Sequence, residues 1–356
     1  MKISAASVAA IAALLALALL PWITGDYYTG LGARIMIYAV FALSLQLLVG
    51  EAGLVSLGHA APFGIGAYAA ALLSPASAAG PLLPLLAAAV GGGALYAMAT
   101  GALALRTRGV YFIMVTLAFA QMAYYVFHDT KLGGGSDGAY LYFRPEPRLG
   151  GWMLFDLADA TVFHLFVAAC LAAVWALLVR LRRSPFGAAL AGIRINEQRM
   201  RAAGYSTFPY KLVAYTLGGG LAGLAGFLFA LKDGFVTPEL FAWEQSGAVL
   251  LMVILGGMAR PGGAVAGAAA LVLMQELFQS EAVFGDYARH WHLPMGIAVI
   301  LLVALLPRGL AGLADGAAGG RARPRGDTPP QTEATGRSPT ARSAAAALEP
   351  RGEPHA

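Results

Sequence analysis

Apolar residues arrive in blocks along this chain, and polar ones gather between the blocks rather than alternating with them. The blocks cover 3–23, 31–49, 54–73, 82–105, 110–127, 161–179, 212–231, 246–258, 263–278 and 293–306. A bilayer's hydrocarbon core, about 30 Å thick, takes roughly 20 apolar residues as a helix. In lipid a helix satisfies its own backbone hydrogen bonds, which an open strand cannot do. The pattern therefore predicts an all-α, polytopic membrane helical bundle of about ten transmembrane helices. The first block outruns the apolar core of a signal peptide, about 7–15 residues, so it reads as a retained span. Around blocks eight and nine, Gly and Pro leave open re-entrant segments in place of full spans.

The polar intervals orient the bundle, because short loops rich in Lys and Arg stay cytoplasmic. Arg106 and Arg108 make one such mark. Residues 180–211 make the strongest, with seven positive charges against the single carboxylate of Glu197. With the N-terminus inside, ten spans place both marks and Arg260 in the cytosol and return the C-terminus there. The long interval 128–160, with five carboxylates against three basic residues, falls outside, as does 232–245. Residues 1–308 thus form a transmembrane domain. Residues 309–356, rich in Gly, Ala, Pro, Arg and Ser, are expected to be a disordered cytosolic tail, since they hold too little apolar surface to fold.

Composition agrees with a membrane bundle. Hydrophobic residues are 58% of the chain and charged ones 12%, against roughly 25% in soluble domains. The net charge of +5 sits largely in the basic loops, so it reports topology and gives no case for nucleic acid. One cysteine, Cys170, excludes an internal disulfide and a cysteine-based metal cluster.

The basic island looks helical. Ser184 suits an N-cap and Pro185 the first turn, where its missing N–H costs nothing. Phe186, Leu190, Ile193 and Met200 fall on one face, interrupted by Glu197, while Arg194, Gln198 and Arg201 line another. One short amphipathic helix between spans is either a docking surface or a solvated topogenic loop.

Four motifs invite chemistry. Residues 53–68 carry Ser56, Gly58, His59, Pro62, Gly64, Gly66 and Tyr68. Broken helices line the substrate sites of transporters, but small residues equally mark a close helix crossing. Residues 106–119 hold Arg108 and Tyr111, which suit interfacial anchors, and Thr116, which more often bonds its own helix. The run 131–138 contains Gly134, Ser136 and Asp137. It resembles a phosphate cradle, yet none of the four lysines precedes Ser or Thr, so a P-loop is absent. Gly256 and Gly257, with the glycines of 262–268, echo the third block weakly. No carboxylate pair, Ser-His-Asp set or Cys-His pair shares a plausible cleft, so the chain is read as no enzyme.

The order of these motifs resembles one family. Residues 53–68, Arg108-Gly-Val-Tyr-Phe, 134–138, Ser184-Pro-Phe-Gly187 through Asn196-Glu197 to Gly204-Tyr205, and Gly256-Gly257 stand as in the LivM-type permease subunit of bacterial ABC importers for branched-chain amino acids. The resemblance covers roughly 31–308. It implies an inner-membrane location, a homologous permease subunit, two ATP-binding subunits, a periplasmic substrate-binding protein and contact with lipid. It implies no cofactor on this chain, ATP being bound by the partner subunits. It makes 184–204 the ATPase-coupling element, through Ser184, Pro185, Phe186, Gly187, Ile193, Arg194, Asn196, Glu197, Arg199 and Gly204. The translocation path is expected at Ser56, Gly58, His59, Gly64, Gly66, Tyr68, Thr116, Gly256 and Gly257. Binding-protein docking is expected at Gly134, Ser136, Asp137, Asp233 and Glu239. The family usually has basic residues where Ala188 and Ala191 stand, and an acidic one in place of Ile195. Similar permeases serve urea, amides or aromatic acids. An ion-coupled secondary transporter is the rival reading, and a non-transporting scaffold a third. The rival needs ionisable groups inside spans, for which Glu51, His59 and Glu276 come nearest.

Overall fold

The computed structural model describes residues 19–23, 25–75, 77–149, 152–153, 155–258, 261–306, 309–310 and 312. The expected first span is described only at 19–23. The expected tail beyond 312, Arg260 and Arg308 lie outside the described residues.

Among the described residues, eleven α-helices are longer than one turn: α1 Asp26–Gln46, α2 Ala60–Leu73, α3 Leu82–Ala104, α4 Val110–Asp129, α5 Ala160–Arg182, α6 Pro185–Ile195, α7 Glu197–Ala202, α8 Thr207–Asp233, α9 Trp243–Gly256, α10 Pro261–Gln279 and α11 His292–Leu305. Four two-residue strands among the described residues sit in loops: β1 Ala139–Tyr140, β2 Arg148–Leu149, β3 Trp152–Met153 and β4 Phe235–Val236. The molecule is an all-α polytopic membrane bundle. Among the described residues, six helices are long and apolar enough to cross a membrane: α1 with its extension, α3, α4, α5, α8 and α10. Blocks three, eight and ten of the sequence become α2, α9 and α11, of 14 residues each. At 1.5 Å per residue each is about 21 Å long, short of a hydrocarbon core of about 30 Å.

Helix α1 is the axis of the bundle. It is apolar on every side, with Ile35 to Gln46 all buried, and a helix of that kind belongs in an interior. Helices α5, α8, α9 and α10 pack around it. Beyond Gln46 it widens into a π-helical turn, Leu47–Ala52, and stops at Gly53, whose φ of +68° closes the helix by the Leu54 N–H donating to the Leu48 carbonyl at 2.9 Å. The third block was expected to be helical from residue 54, but 53–59 is non-helical and α2 starts only at Ala60. Serine side chains satisfy the broken backbone. The Gly58 N–H donates to Ser56 Oγ, and the Ala60 N–H donates to Ser246 Oγ of α9 at 2.9 Å.

Two ends of the bundle differ in charge. The C-terminal ends of α1 and α5, with α6, α7 and the start of α8, form the basic end. Toward the opposite end run the start of α5, the end of α8 and the start of α9. There Asp159 caps α5, accepting from the Thr161 and Val162 N–H groups at 2.7 and 3.0 Å. Those backbone bonds, Val162's first, hold its carboxyl below the ordinary range.

Candidate functional site

At the basic end the island folds as two helices, not the single one its periodicity suggests. Asn196, at φ −157° and ψ 98°, leaves the helical region, ends α6 and caps α7 by accepting from the Arg199 N–H at 2.9 Å. Ser184 Oγ caps α6, accepting from the Gly187 N–H at 3.3 Å, and Pro185 takes the first turn. Leu190 and Ile193 are buried, and the Phe186 ring stacks on Tyr210 with centroids 5.6 Å apart. Gly187 sits against the Leu181–Arg182 backbone, and Gly204 turns the chain at φ +87° toward α8.

Because the element bends at Asn196, Glu197 does not interrupt an apolar face; it ties α7 to the start of α8. Its carboxylate receives Arg201 Nη2 at 2.6 Å, Lys211 Nζ at 2.6 Å and the Thr207 hydroxyl at 2.9 Å. Burial works to raise this carboxyl. The Lys211 and Thr207 hydrogen bonds and the charges of Lys211 and Arg201 outweigh it and bring it down to about 2. A second tie reaches the axis. Arg194 Nη1 donates to the Gly50 carbonyl near the end of α1, where helix carbonyls lack intrahelical partners, and Arg182 pairs with Glu51 at 2.7 Å. Arg194, though exposed, and the half-buried Glu197 therefore bond back to the bundle. Outward stand Pro185, Asn196, Arg199 and Ile195, the last 83% exposed.

The nine residues expected on a path lie in the packing. Ser56, His59, Tyr68 and Thr116 are buried. His59 Nε2 shares a hydrogen bond of 2.7 Å with Ser44 Oγ, and its ring stacks on Phe41. Thr116 Oγ1 donates to the Ile113 carbonyl of its own helix at 2.9 Å. Tyr68 lies among Phe127 and Phe241. Gly58 abuts Thr116, Gly64 the Phe241 ring, Gly66 the Gly223 carbonyl and Gly256 the Gly263 carbonyl, while Gly257 adopts φ +103° at the end of α9. Those at Gly58, Gly66 and Gly256 are backbone approaches of the kind small residues permit in lipid. Gly66→Ala is expected to cost about 1–3 kcal/mol by overpacking α2 against α8, visible as a lower unfolding midpoint in detergent. Gly91→Ala, with open space at its Cβ, serves as the unaffected control.

At the opposite end two distant loops meet. β1 pairs antiparallel with β4, Ala139 opposite Val236 and Tyr140 opposite Phe235. That ribbon brings the segment of Gly134, Ser136 and Asp137 beside the loop of Asp233 and Glu239. Next to it opens a cavity of about 760 Å³, whose wall includes Asp233 and Glu239 but none of the nine packed residues. Each of four helices brings an apolar residue to the cavity and a polar one nearer the helix end. On α1 these are Tyr38 and Arg34, and on α8 Phe229 and Asp233. On α9 they are Met252 and Gln245, and on α10 Leu271 and Gln275. The reading of the sequence missed this site. Asp233 and Glu239 were expected only as docking residues, and Arg34, a charge inside an apolar block, was a further legible signal. Arg34 stands 3.9 Å from Glu276, which also receives the Tyr27 hydroxyl.

Comparison with known proteins agrees with this architecture. Residues 27–306 match the family described as "Branched-chain amino acid transport system / permease component". The high-affinity branched-chain amino acid transport system permease protein LivM of Escherichia coli (strain K12) is 34% identical over 300 residues, covering 77% of this chain and 68% of the relative. Its Salmonella typhimurium (strain LT2) counterpart is 35% identical with the same coverage. No solved structure matches the chain. The chain belongs to the family of permease components of branched-chain amino acid transport systems.

Proposed function

We propose that this chain is the LivM-type permease subunit of an ABC importer for branched-chain amino acids. It shares the translocation path with a homologous permease subunit, two ATP-binding subunits power it, and a periplasmic binding protein delivers the substrate. Its family transports rather than catalyses, and it is not an enzyme. The observation that carries the reading is the match over 27–306 together with 34–35% identity to two LivM permeases. The basic end is the cytosolic one, both termini lie there, and α6 with α7 is the surface the ATPase meets. Arg199, which has no ion pair among the described residues, and the exposed Ile195 are the contacts it offers. The ribbon of β1 and β4, with Ser136, Asp137, Asp233 and Glu239, faces the binding protein. The path residues act by keeping α2, α8, α9 and α10 closely packed, so that the helices move as units when the ATPase closes.

Co-expression with the ATP-binding and second permease subunits, followed by reconstitution with the binding protein, tests this. ATP-dependent uptake of L-leucine is expected from the assembly, and neither uptake nor ATP hydrolysis from this chain alone. Uptake by the isolated chain under a proton or sodium gradient would overturn the reading.

A further inference from the structure

Four helices that meet at the cavity repeat one arrangement, apolar below and polar above. Tyr38, Met252 and Leu271 are buried at its floor, and Phe229 is half-buried beside them. One helical turn above Tyr38, on the same face of α1, stands the guanidinium of Arg34. Carboxylates approach from the α8–α9 side: Asp233, Glu239 and Glu244. These charges are not equally committed. Asp233 is paired with Lys232 at 2.9 Å. Arg34 meets Glu276 only at 3.9 Å, beyond hydrogen-bonding distance, and otherwise bonds the neutral Tyr38 side chain. Glu239 and Glu244 make no ion pair among the described residues.

That distribution selects a ligand by elimination. An anion would face three carboxylates with one guanidinium to receive it. A polyamine would meet Arg34 and leave the apolar floor uncovered. A zwitterion with an aliphatic tail satisfies all three regions at once. Such a mixture, a largely apolar pocket with a few convergent polar groups in the range of about 300–1,000 Å³, is the usual form of a small-molecule site. Resting on the import reading above, we propose that this cavity is a transit site on the permease itself for a free aliphatic α-amino acid. Arg34 receives the α-carboxylate, Glu239 and Glu244 receive the α-ammonium, and Tyr38, Phe229, Met252 and Leu271 cover the side chain. The site recognises the backbone zwitterion after release from the binding protein, at the end of the bundle opposite α6 and α7.

The test uses the full chain in lipid nanodiscs, with ligand contact read by saturation-transfer NMR and affinity by titration. Three probes share one tail: L-leucine, L-leucinol, which lacks the carboxylate, and 4-methylpentanoate, which lacks the ammonium. The wild-type chain is expected to bind L-leucine at least about tenfold tighter than either analogue, the scale of one lost charge-assisted hydrogen bond. Arg34→Gln is expected to bring L-leucine down to the leucinol level and leave leucinol unchanged. Glu239→Gln with Glu244→Gln is expected to bring it to the 4-methylpentanoate level. Absence of saturable L-leucine binding, or analogues within twofold of it on the wild-type chain, overturns the proposal without any variant having to fold. So does an Arg34→Gln chain that loses L-leucine and leucinol equally. An assembly that imports L-leucine through a chain without zwitterion selectivity would keep the importer reading and remove the transit site. Zwitterion selectivity in a chain whose assembly imports no L-leucine would keep the site and remove the importer reading.

Discussion

Replacing Glu197 by Ala is expected to reduce transport-coupled ATP hydrolysis in the assembled importer by about tenfold, with substrate binding by the periplasmic protein unchanged. Glu197 accepts three hydrogen bonds at 2.6–2.9 Å, two of them from cations. Hydrogen bonds involving charged groups contribute about 1.5–3 kcal/mol each, less where water competes. Lys211, whose side chain is only 13% exposed, would keep its charge and lose its counter-ion. A net loss of about 2–3 kcal/mol follows for the bond between α7 and the start of α8. A shift of about 1.4 kcal/mol in the ordered fraction of the docking surface already gives a tenfold change. Glu197→Asp, one methylene shorter, is expected to fall between, because it keeps the charge without the reach.

The same carboxylate sets a pH dependence. Its folded-state value of about 2 lies below the ordinary 4.5. The unfolded chain therefore binds this proton first, and Glu197's contribution is complete above about pH 4.5 and fades as pH falls toward 2. Thermal midpoints of the wild-type chain and Glu197→Gln should accordingly differ by a constant amount above pH 5 and converge below pH 4. A gap that persists to pH 2 would show that the clamp does not depend on the ionised carboxylate.

The six long spans were legible because each is an apolar block of about 20 residues, whereas the late start of α2 was not, although Gly53 and Gly58 marked the interruption. The split of the island was not read, although Asn196 is a good capping residue. The apolar residues on either side of it continue a helical period, and periodicity outweighed the cap. The direction in which Arg194 and Glu197 face was hidden for a different reason. Their partners, Gly50 and Lys211, lie 144 and 14 positions away, and charge on a polar loop says nothing of where it points. The cavity was least visible of all. Its walls come from helices spread between Arg34 and Met295, each contributing a residue or two that are ordinary within their own segment. The ribbon joining the two loops was equally silent, since strands of two residues are too short to show alternation.

Reversing the charges of the Glu51–Arg182 pair, first singly and then together, carries the second large expected effect. Glu51 closes the π-helical end of α1, its side chain 14% exposed, and Arg182 ends α5 immediately before α6. Arg194 grips the same end of α1 through the Gly50 carbonyl. These contacts join α5 and α6 to the central helix, which at its other end carries Arg34 and Tyr38 into the cavity. Glu51→Arg sets two guanidiniums together and adds a third cation beside Arg194; Arg182→Glu leaves two carboxylates facing each other. Breaking a largely buried pair costs about 3–5 kcal/mol, and partial exposure of Arg182 brings this nearer 2–3. Each single reversal is therefore expected to lower ATP-driven uptake about tenfold or more, while the double reversal restores the pair and most of the activity, a coupling of about 1–3 kcal/mol in a double-mutant cycle. Arg194→Ala should lower uptake in all four backgrounds, because its carbonyl contact does not depend on the sign of residue 51. Additive single reversals would mean that α1 and α5 sense the coupling surface separately, and that motion does not enter the bundle through this joint.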